Sequence, residues 1–328
     1  MTSIAAFSAD ILLKGVVIIV LALIIASVAG RHDARVVIIW RAAFAALVAL
    51  PFLTLLLPSF SLALIDLNHD ALNSTPDANG SGFSLLTALL LLWCIGGLAG
   101  LVRLARDVGA ARRLAAEALT TIDRRAATVF EKALTIVEVP RRPELRETTA
   151  LGTAALIGWR HPIVLLPSES HDWNDDELLG VLCHELEHLR HGDWLLLIVE
   201  RITTAVFWMN PLVHLAFRAS CVAREIVADD AVIRSSVSLQ AYAARLISSA
   251  RSASAAPAMA SIALAGNGVT ALRVKALFET GRHRRSVSPR GRLVFMTVAV
   301  PVLLTLASAE PWRCVPGASI SPSSAKCP

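Results

Sequence analysis

Four apolar runs, each about 20 residues long, constrain this chain more than anything else: Ile11–Gly30, Val36–Pro58, Ser84–Leu104 and Leu293–Ala309. In hydrocarbon every backbone N–H and C=O must be bonded within its own segment. Runs of this length therefore read as membrane-spanning helices. Composition agrees. Of 328 residues 55% are hydrophobic and 17% charged, and the mean hydropathy is +0.60, well above a soluble domain. Lys14, inside the first run, is expected to snorkel to the near interface, and Pro51 to kink the second. The N-terminus shows no basic n-region and no clear small-residue cleavage site, so the first run reads as a retained span.

Basic residues orient the spans. Arg31, His32 and Arg35 follow the first run. Arg103, Arg106, Arg112, Arg113, Arg124 and Arg125 follow the third, and Arg282, Arg284, Arg285, Arg290 and Arg292 precede the fourth. The loop Ser59–Phe83 carries Asp66, Asp70 and Asp77 but no Lys or Arg. By the positive-inside rule the region between spans three and four is cytoplasmic and both termini lie outside, in a bacterial inner membrane. The expected fold is a mainly α, multi-pass membrane protein. Residues 1–104 form a three-span region, 105–291 a cytoplasmic α+β domain, and 292–328 a fourth span with a short periplasmic tail. The net charge of +5 is then loop charge. No basic stripe interleaved with aromatics appears, so direct nucleic-acid binding is not expected.

The five cysteines form no Cys-x-x-Cys pair, which argues against a cysteine metal site. Cys183 and Cys221 read as small packing residues. Cys314 and Cys327 flank the last segment on the outer side, where they could pair.

Within the domain, Ala105–Lys132 reads as a charged helix continuing from span three. Leu134–Pro140, Thr153–Gly158 and Ile163–Leu166 read as strands bounded by Gly and Pro. Trp194–Met209 is an apolar helix capped by Asp193. Glu200 and Arg201 in its middle argue against a fifth span, so it is expected to be buried or to lie against the bilayer. Asn210 and Pro211 then start a helix that runs to about Ile233.

Between the last strand and these helices lies His184-Glu-Leu-Glu-His188. At 3.6 residues per turn the two imidazoles share one helix face and can hold one Zn²⁺, with Glu185 beside it as general base for a water. Asn174 and Glu177 supply a capping box, Gly192 a stop, and Leu178, Leu179, Leu182 and Leu186 a buried face. A catalytic zinc needs a third protein ligand and an open position. Glu225, in Arg-Glu-Ile-Val-Ala-Asp-Asp, supplies it from a facing helix. Asp229, one turn on, is placed to fix a ligand histidine's tautomer. His191 and His214 are weaker ligand candidates. Glu187 and Asp230 read as solvated or salt-bridged charges, and Tyr242 is the sole tyrosine.

These residues resemble the bacterial membrane zinc metallopeptidases of the β-lactam-sensor (BlaR/MecR antirepressor) type. Gly158 and Pro162–Pro167 look like that family's strand pair. His184–His188 with Asp193 look like its zinc helix, Trp208-Met209-Asn210-Pro211 like its aromatic-x-Asn-Pro turn, and Glu225 with Asp229 like its Glu-x-x-x-Asp ligand motif. Ala228 stands where a small Cys is usual, and Ala271–Phe278 looks like the last cytoplasmic helix. The resemblance implies a gluzincin-like domain that cleaves a cytoplasmic protein, such as a transcriptional repressor, or itself. Zinc-peptidase folds place an edge strand beside the metal helix. Thr153–Gly158 is the candidate, with an ordinary hairpin arm as the alternative. About Glu310–Pro328 follow the fourth span, too few for a penicillin-binding domain. Ser323-Ser-Ala-Lys326 there reads as a chance match. Two alternatives remain open there: the tail or the Ser59–Phe83 loop meets a separate periplasmic sensor, or there is no sensor. Two alternatives stand beside the signalling peptidase: a quality-control peptidase for membrane proteins, and a non-catalytic receptor with a structural zinc.

Overall fold

The computed structural model describes residues 4–29, 34–58, 60–67, 85–120, 122–235, 237–253, 267–279 and 289–314. Helices α1 (Ile4–Ala29) and α2 (Ala34–Leu56) pack side by side, and α3 (Leu85–Glu117) follows. Each contains a window long and apolar enough to cross a membrane: Asp10–Ala29, Arg35–Leu56 and Thr87–Glu117. Their outward side chains, including Val28, Phe52, Leu55, Ile95 and Leu98, are exposed and apolar, as lipid contact requires. α10 (Pro289–Ser308) packs on α2, and among the described residues its apolar stretch is Ala299–Ser308.

Lys14 does not snorkel. It is buried, its ammonium pairs with Asp10 at 2.6 Å, and it donates to the Ala307 carbonyl at 3.1 Å. A cation within an apolar bundle finds internal partners when they are closer than the interface. The loop expected over Ser59–Phe83 begins instead as a strand, β1 (Phe60–Leu67). It pairs in parallel with β5 (Ala309–Cys314), so α2 and α10 finish at the same end of the bundle. The rest of that loop, Cys327 and Ser323–Lys326 lie outside the described residues.

α3 runs unbroken through Leu104 to Glu117. The continuous helix expected to Lys132 is interrupted, because Leu119 pairs with Glu147 before α4 (Arg124–Ile136) begins. Leu134–Pro140 is not a strand. Ala126, Val129, Phe130 and Ala133 form one buried helical face, and that period carries Leu134–Ile136 into α4. The strand comes later, as β2 (Glu144–Thr148), followed by β3 (Ala155–Ile157) and β4 (Ile163–Pro167). The sheet order is β2-β4-β3. β4 lies in the centre, parallel to β2 and antiparallel to β3, which leaves β3 at an edge. Gly158, at φ +86°, makes the turn out of β3 in a conformation only glycine adopts freely.

Five further helices follow: α5 (Asp175–His191), α6 (Asp193–Val206), α7 (Pro211–Arg234), α8 (Leu239–Ala253) and α9 (Asn267–Phe278). Leu178, Leu179, Leu182 and Leu186 of α5 are buried against Phe130 of α4, Val164 and Leu166 of β4 and Trp173. The opposite side of α5 packs on α7. α7 also joins the membrane core, where Val213, Ala216 and Phe217 meet Ile19 of α1 and Trp40, Phe44 and Leu47 of α2.

Candidate metal centre

α5 is fixed at both ends by its own sequence. Asn174 accepts from the Glu177 N–H at 2.8 Å and Glu177 from the Asn174 N–H at 3.0 Å, a complete capping box. Gly192 closes the helix in the left-handed conformation, at φ +68°. His184 and His188 fall one turn apart and face α7. There Asn210 caps the helix start by accepting from the Leu212 N–H at 3.0 Å, with Pro211 in the first turn.

Three donor atoms converge between α5 and α7. His184 Nε2 lies 3.2 Å from His188 Nε2 and 3.5 Å from one Glu225 oxygen; the other Glu225 oxygen lies 3.6 Å from His188 Nε2. Tetrahedral ligands about 2.0–2.1 Å from an ion sit roughly 3.3–3.4 Å apart, so a zinc-sized ion fits this triangle. The tautomers point the same way. His188 Nδ1 lies 2.8 Å from Asp193 Oδ2, and His184 Nδ1 lies 3.0 Å from Asp229 Oδ1. An ionised carboxylate only accepts, so each Nδ1 carries a proton and each Nε2 is the nitrogen left to face inward. With one ring protonated its Nε2–H can donate to the other Nε2 at this distance; with both rings neutral the two lone pairs are free for one cation.

The surroundings keep the carboxylates charged. Burial alone would raise the carboxyls of Glu225 and Asp229, but the Arg273 charge beside them and hydrogen bonds from His184 hold both below the usual range. Arg273, on α9, lies 2.9 Å from a Glu225 oxygen and 2.7 Å from Asp229 Oδ1. Burial and Arg273 push the His184 imidazole down. Its bonds to Asp229 and Glu225 outweigh them, and it is raised to about 9. Tyr242, on α8, donates to Asp229 at 2.8 Å with its oxygen 3.1 Å from His184 Nδ1. Its hydroxyl thus stands behind the histidine, away from the donor triangle. Glu185 is half-buried and, among the described residues, its side chain makes no hydrogen bond or ion pair.

The other candidates sit elsewhere. His191 Nδ1 donates to the Glu187 carbonyl, and His214 is exposed and bonded to the Trp208 carbonyl. Glu187 is buried between Arg190 and Arg234 rather than solvated, and Asp230 is also buried. Sequence reasoning missed the partners of Arg41 and Arg273, and read Asp193 as a helix cap and as part of the zinc-helix resemblance without giving it a partner. The Arg41 guanidinium lies 2.6 Å from Asp193 Oδ1. Its signal was available, since a charge inside an apolar run requires a partner. Beside His188 a cleft of about 240 Å³ opens along β3, lined by Leu156, Gly158, Trp159, Trp194 and Leu195.

Among curated proteins none matches the chain. Its family is nevertheless established: residues 13–277 match the profile described as BlaR1 peptidase M56, and the chain belongs to that family of membrane metallopeptidases.

Proposed function

We propose that this chain is an integral-membrane zinc endopeptidase of a signalling circuit, with its domain on the cytoplasmic side and a regulatory protein as substrate. In this reading His184, His188 and Glu225 hold the ion and Glu185 is the general base. The observation that carries it is the inward-facing Nε2 pair closed by Glu225, beside an unengaged Glu185. A bound zinc supplies Lewis-acid activation of a water and of the scissile carbonyl. Glu185 takes the proton from the attacking water and returns it to the leaving amine, so the C–N bond breaks without a net proton change. Asp193 and Asp229 hold the ligand rings in the tautomer that offers Nε2. An extended substrate adds to the open edge of β3 and lies across the cleft beside His188.

Glu185→Ala is expected to bind zinc as the wild type does and to lose cleavage. Comparing the proteomes of wild-type and Glu185→Ala cells then names the substrate. Cleavage at the wild-type rate by the variant overturns the proposal. Accumulation of many misfolded membrane proteins, in place of one regulator, would assign the same chemistry to quality control. A structural zinc is disfavoured because three donors, not four, gather among the described residues.

A further inference from the structure

We infer that α6 and α7 form a re-entrant hairpin that enters the bilayer from the domain side and turns within it, its tip covered by acyl chains. α6 runs antiparallel along α3, and their contacts match level by level. Arg201 pairs with Asp107 at 2.8 Å. One step further along, a Cβ at Gly100 would stand 2.8 Å from the Ala205 methyl. Beyond it Trp93 Nε1 donates to the Val206 carbonyl at 2.8 Å, and Trp208 Nε1 to the Trp93 carbonyl at 3.1 Å. From Leu104 to Trp93 a helix rises about 16 Å, roughly half of a hydrocarbon core. The tip of the hairpin is therefore level with the middle of a span.

Two other spans place it independently. A Cβ at Gly15 of α1 would lie 3.4 Å from the Phe207 ring and equally far from Leu47 of α2. Phe207, Val213, Ala216 and Phe217 share one core with Trp40, Phe44 and Leu47.

Most polar groups of the hairpin are paired internally, the buried Asn210 Nδ2 at the turn being the exception. Glu200 and Ser220 meet inside the hairpin at 2.5 Å, and Arg224 pairs with Glu200 at 2.9 Å, so these charges do not face lipid. At the turn the Asn210 N–H bonds to the Phe207 carbonyl at 2.8 Å, and His214 Nε2 donates to the Trp208 carbonyl at 2.8 Å. The outer face carries Ile202, Met209 and Leu215, all exposed and apolar. Arg218 is exposed two turns back from the tip, beside Phe217, over whose ring Arg201 lies. That is the level of Asp107, where headgroups meet the chain. Because α6 starts directly after Gly192, the hairpin also holds the end of α5 at the membrane surface.

The test uses the wild-type chain in phosphatidylcholine vesicles carrying a photoreactive diazirine in mid-acyl position. After illumination, lipid adducts are mapped by mass spectrometry. Adducts are expected on Met209 to Leu215 as well as on α1–α3. Adducts on the spans with none between Ile202 and Leu215 would overturn the hairpin. A second measurement follows labelling of Met209→Cys by a membrane-impermeant maleimide, after the native cysteines are replaced. In vesicles it should react about tenfold slower than Trp159→Cys in the same background, and equally fast once the chain is unfolded in sodium dodecyl sulfate. Equal rates in vesicles would also overturn it. Neither readout requires cleavage, so failure here is separable from failure of the peptidase reading.

Discussion

Arg41 and Asp193 meet at 2.6 Å although 152 residues separate them, and the second Asp193 oxygen lies 2.8 Å from His188 Nδ1. Two hydrogen bonds thus join a membrane span to a candidate metal donor. His184 is backed in the same manner by Asp229, but there the countercharge is Arg273 on α9. The two histidines are therefore oriented by different elements, His188 through α2 and His184 through α9.

Loss of the first of these supports should weaken the ion's hold without touching its ligands. Asp193→Asn is expected to lower zinc affinity by about 10–100-fold, because one amide oxygen cannot serve Arg41 and His188 as two carboxylate oxygens do, and the amide NH2 faces one of these donors. Arg41→Gln should have a smaller effect in the same direction, and Arg41→Lys should keep most of the affinity. Equilibrium competition against a chelator, in detergent, measures all three. Wild-type affinity in Asp193→Asn would rule the support out.

The pH dependence of stability should change sign of slope with zinc removal. In the metal-free protein the His184 imidazole is raised to about 9, above its ordinary value of 6.5. The stability it contributes is complete below pH 6.5 and is lost as pH rises through 9, up to roughly 3 kcal/mol. Glu225 and Asp229 are held low and stay ionised throughout this window, so they add no slope. Zinc requires the unprotonated Nε2, so higher pH favours the loaded form. Thermal unfolding of chelator-treated protein should fall in Tm between pH 6.5 and 9.5, while the zinc-loaded protein should hold or rise. Parallel curves would contradict this assignment.

Arg273 balances two buried carboxylates, so its removal should be felt most where no ion helps. Arg273→Ala is expected to cost about 3–5 kcal/mol in the metal-free protein, because Asp229 keeps a buried charge without its partner. A bound divalent ion replaces part of that charge, and the loss should shrink with zinc. Arg273→Lys should be intermediate, since an ammonium cannot bridge both carboxylates as the planar guanidinium does. Denaturant unfolding with and without zinc reads the difference; an equal loss in both would refute the account.

The parts of this structure legible in the sequence are those set by local period and punctuation. The spans follow from length and apolarity. The ends of α5 follow from Asn174, Glu177 and Gly192, and the start of α7 from Asn210 and Pro211. His184, His188 and Glu225 were nominated because helical spacing and ligand chemistry are both local rules. The pairs that surround them join residues far apart in the chain, such as Arg41 with Asp193, or Arg273 with Asp229. No periodicity encodes such a pairing. The misread strand at Leu134 has a related cause: Thr135, Ile136 and Val137 are β-branched, and burial of the α4 face overrides that preference. β1 and β5 were missed because parallel pairing brings together ends that only the bundle places side by side.

The packing of α3 on the hairpin gives a last prediction, one for a region without titratable groups. A Cβ at Gly96 would fall within the Trp208 indole, which is itself held by its bond to the Trp93 carbonyl. The ring cannot give way without breaking that bond, so Gly96→Ala is expected to destabilise the protein by about 1–3 kcal/mol. Gly97→Ala, where the nearest atom is the Ala205 carbonyl oxygen at 3.4 Å, should be nearly neutral. Trp208→Leu removes the obstructing ring, so adding it to Gly96→Ala should cost less than the two single losses summed. Thermal unfolding of the four proteins in one detergent gives the coupling. Strict additivity would show that the glycine face of α3 does not seat Trp208.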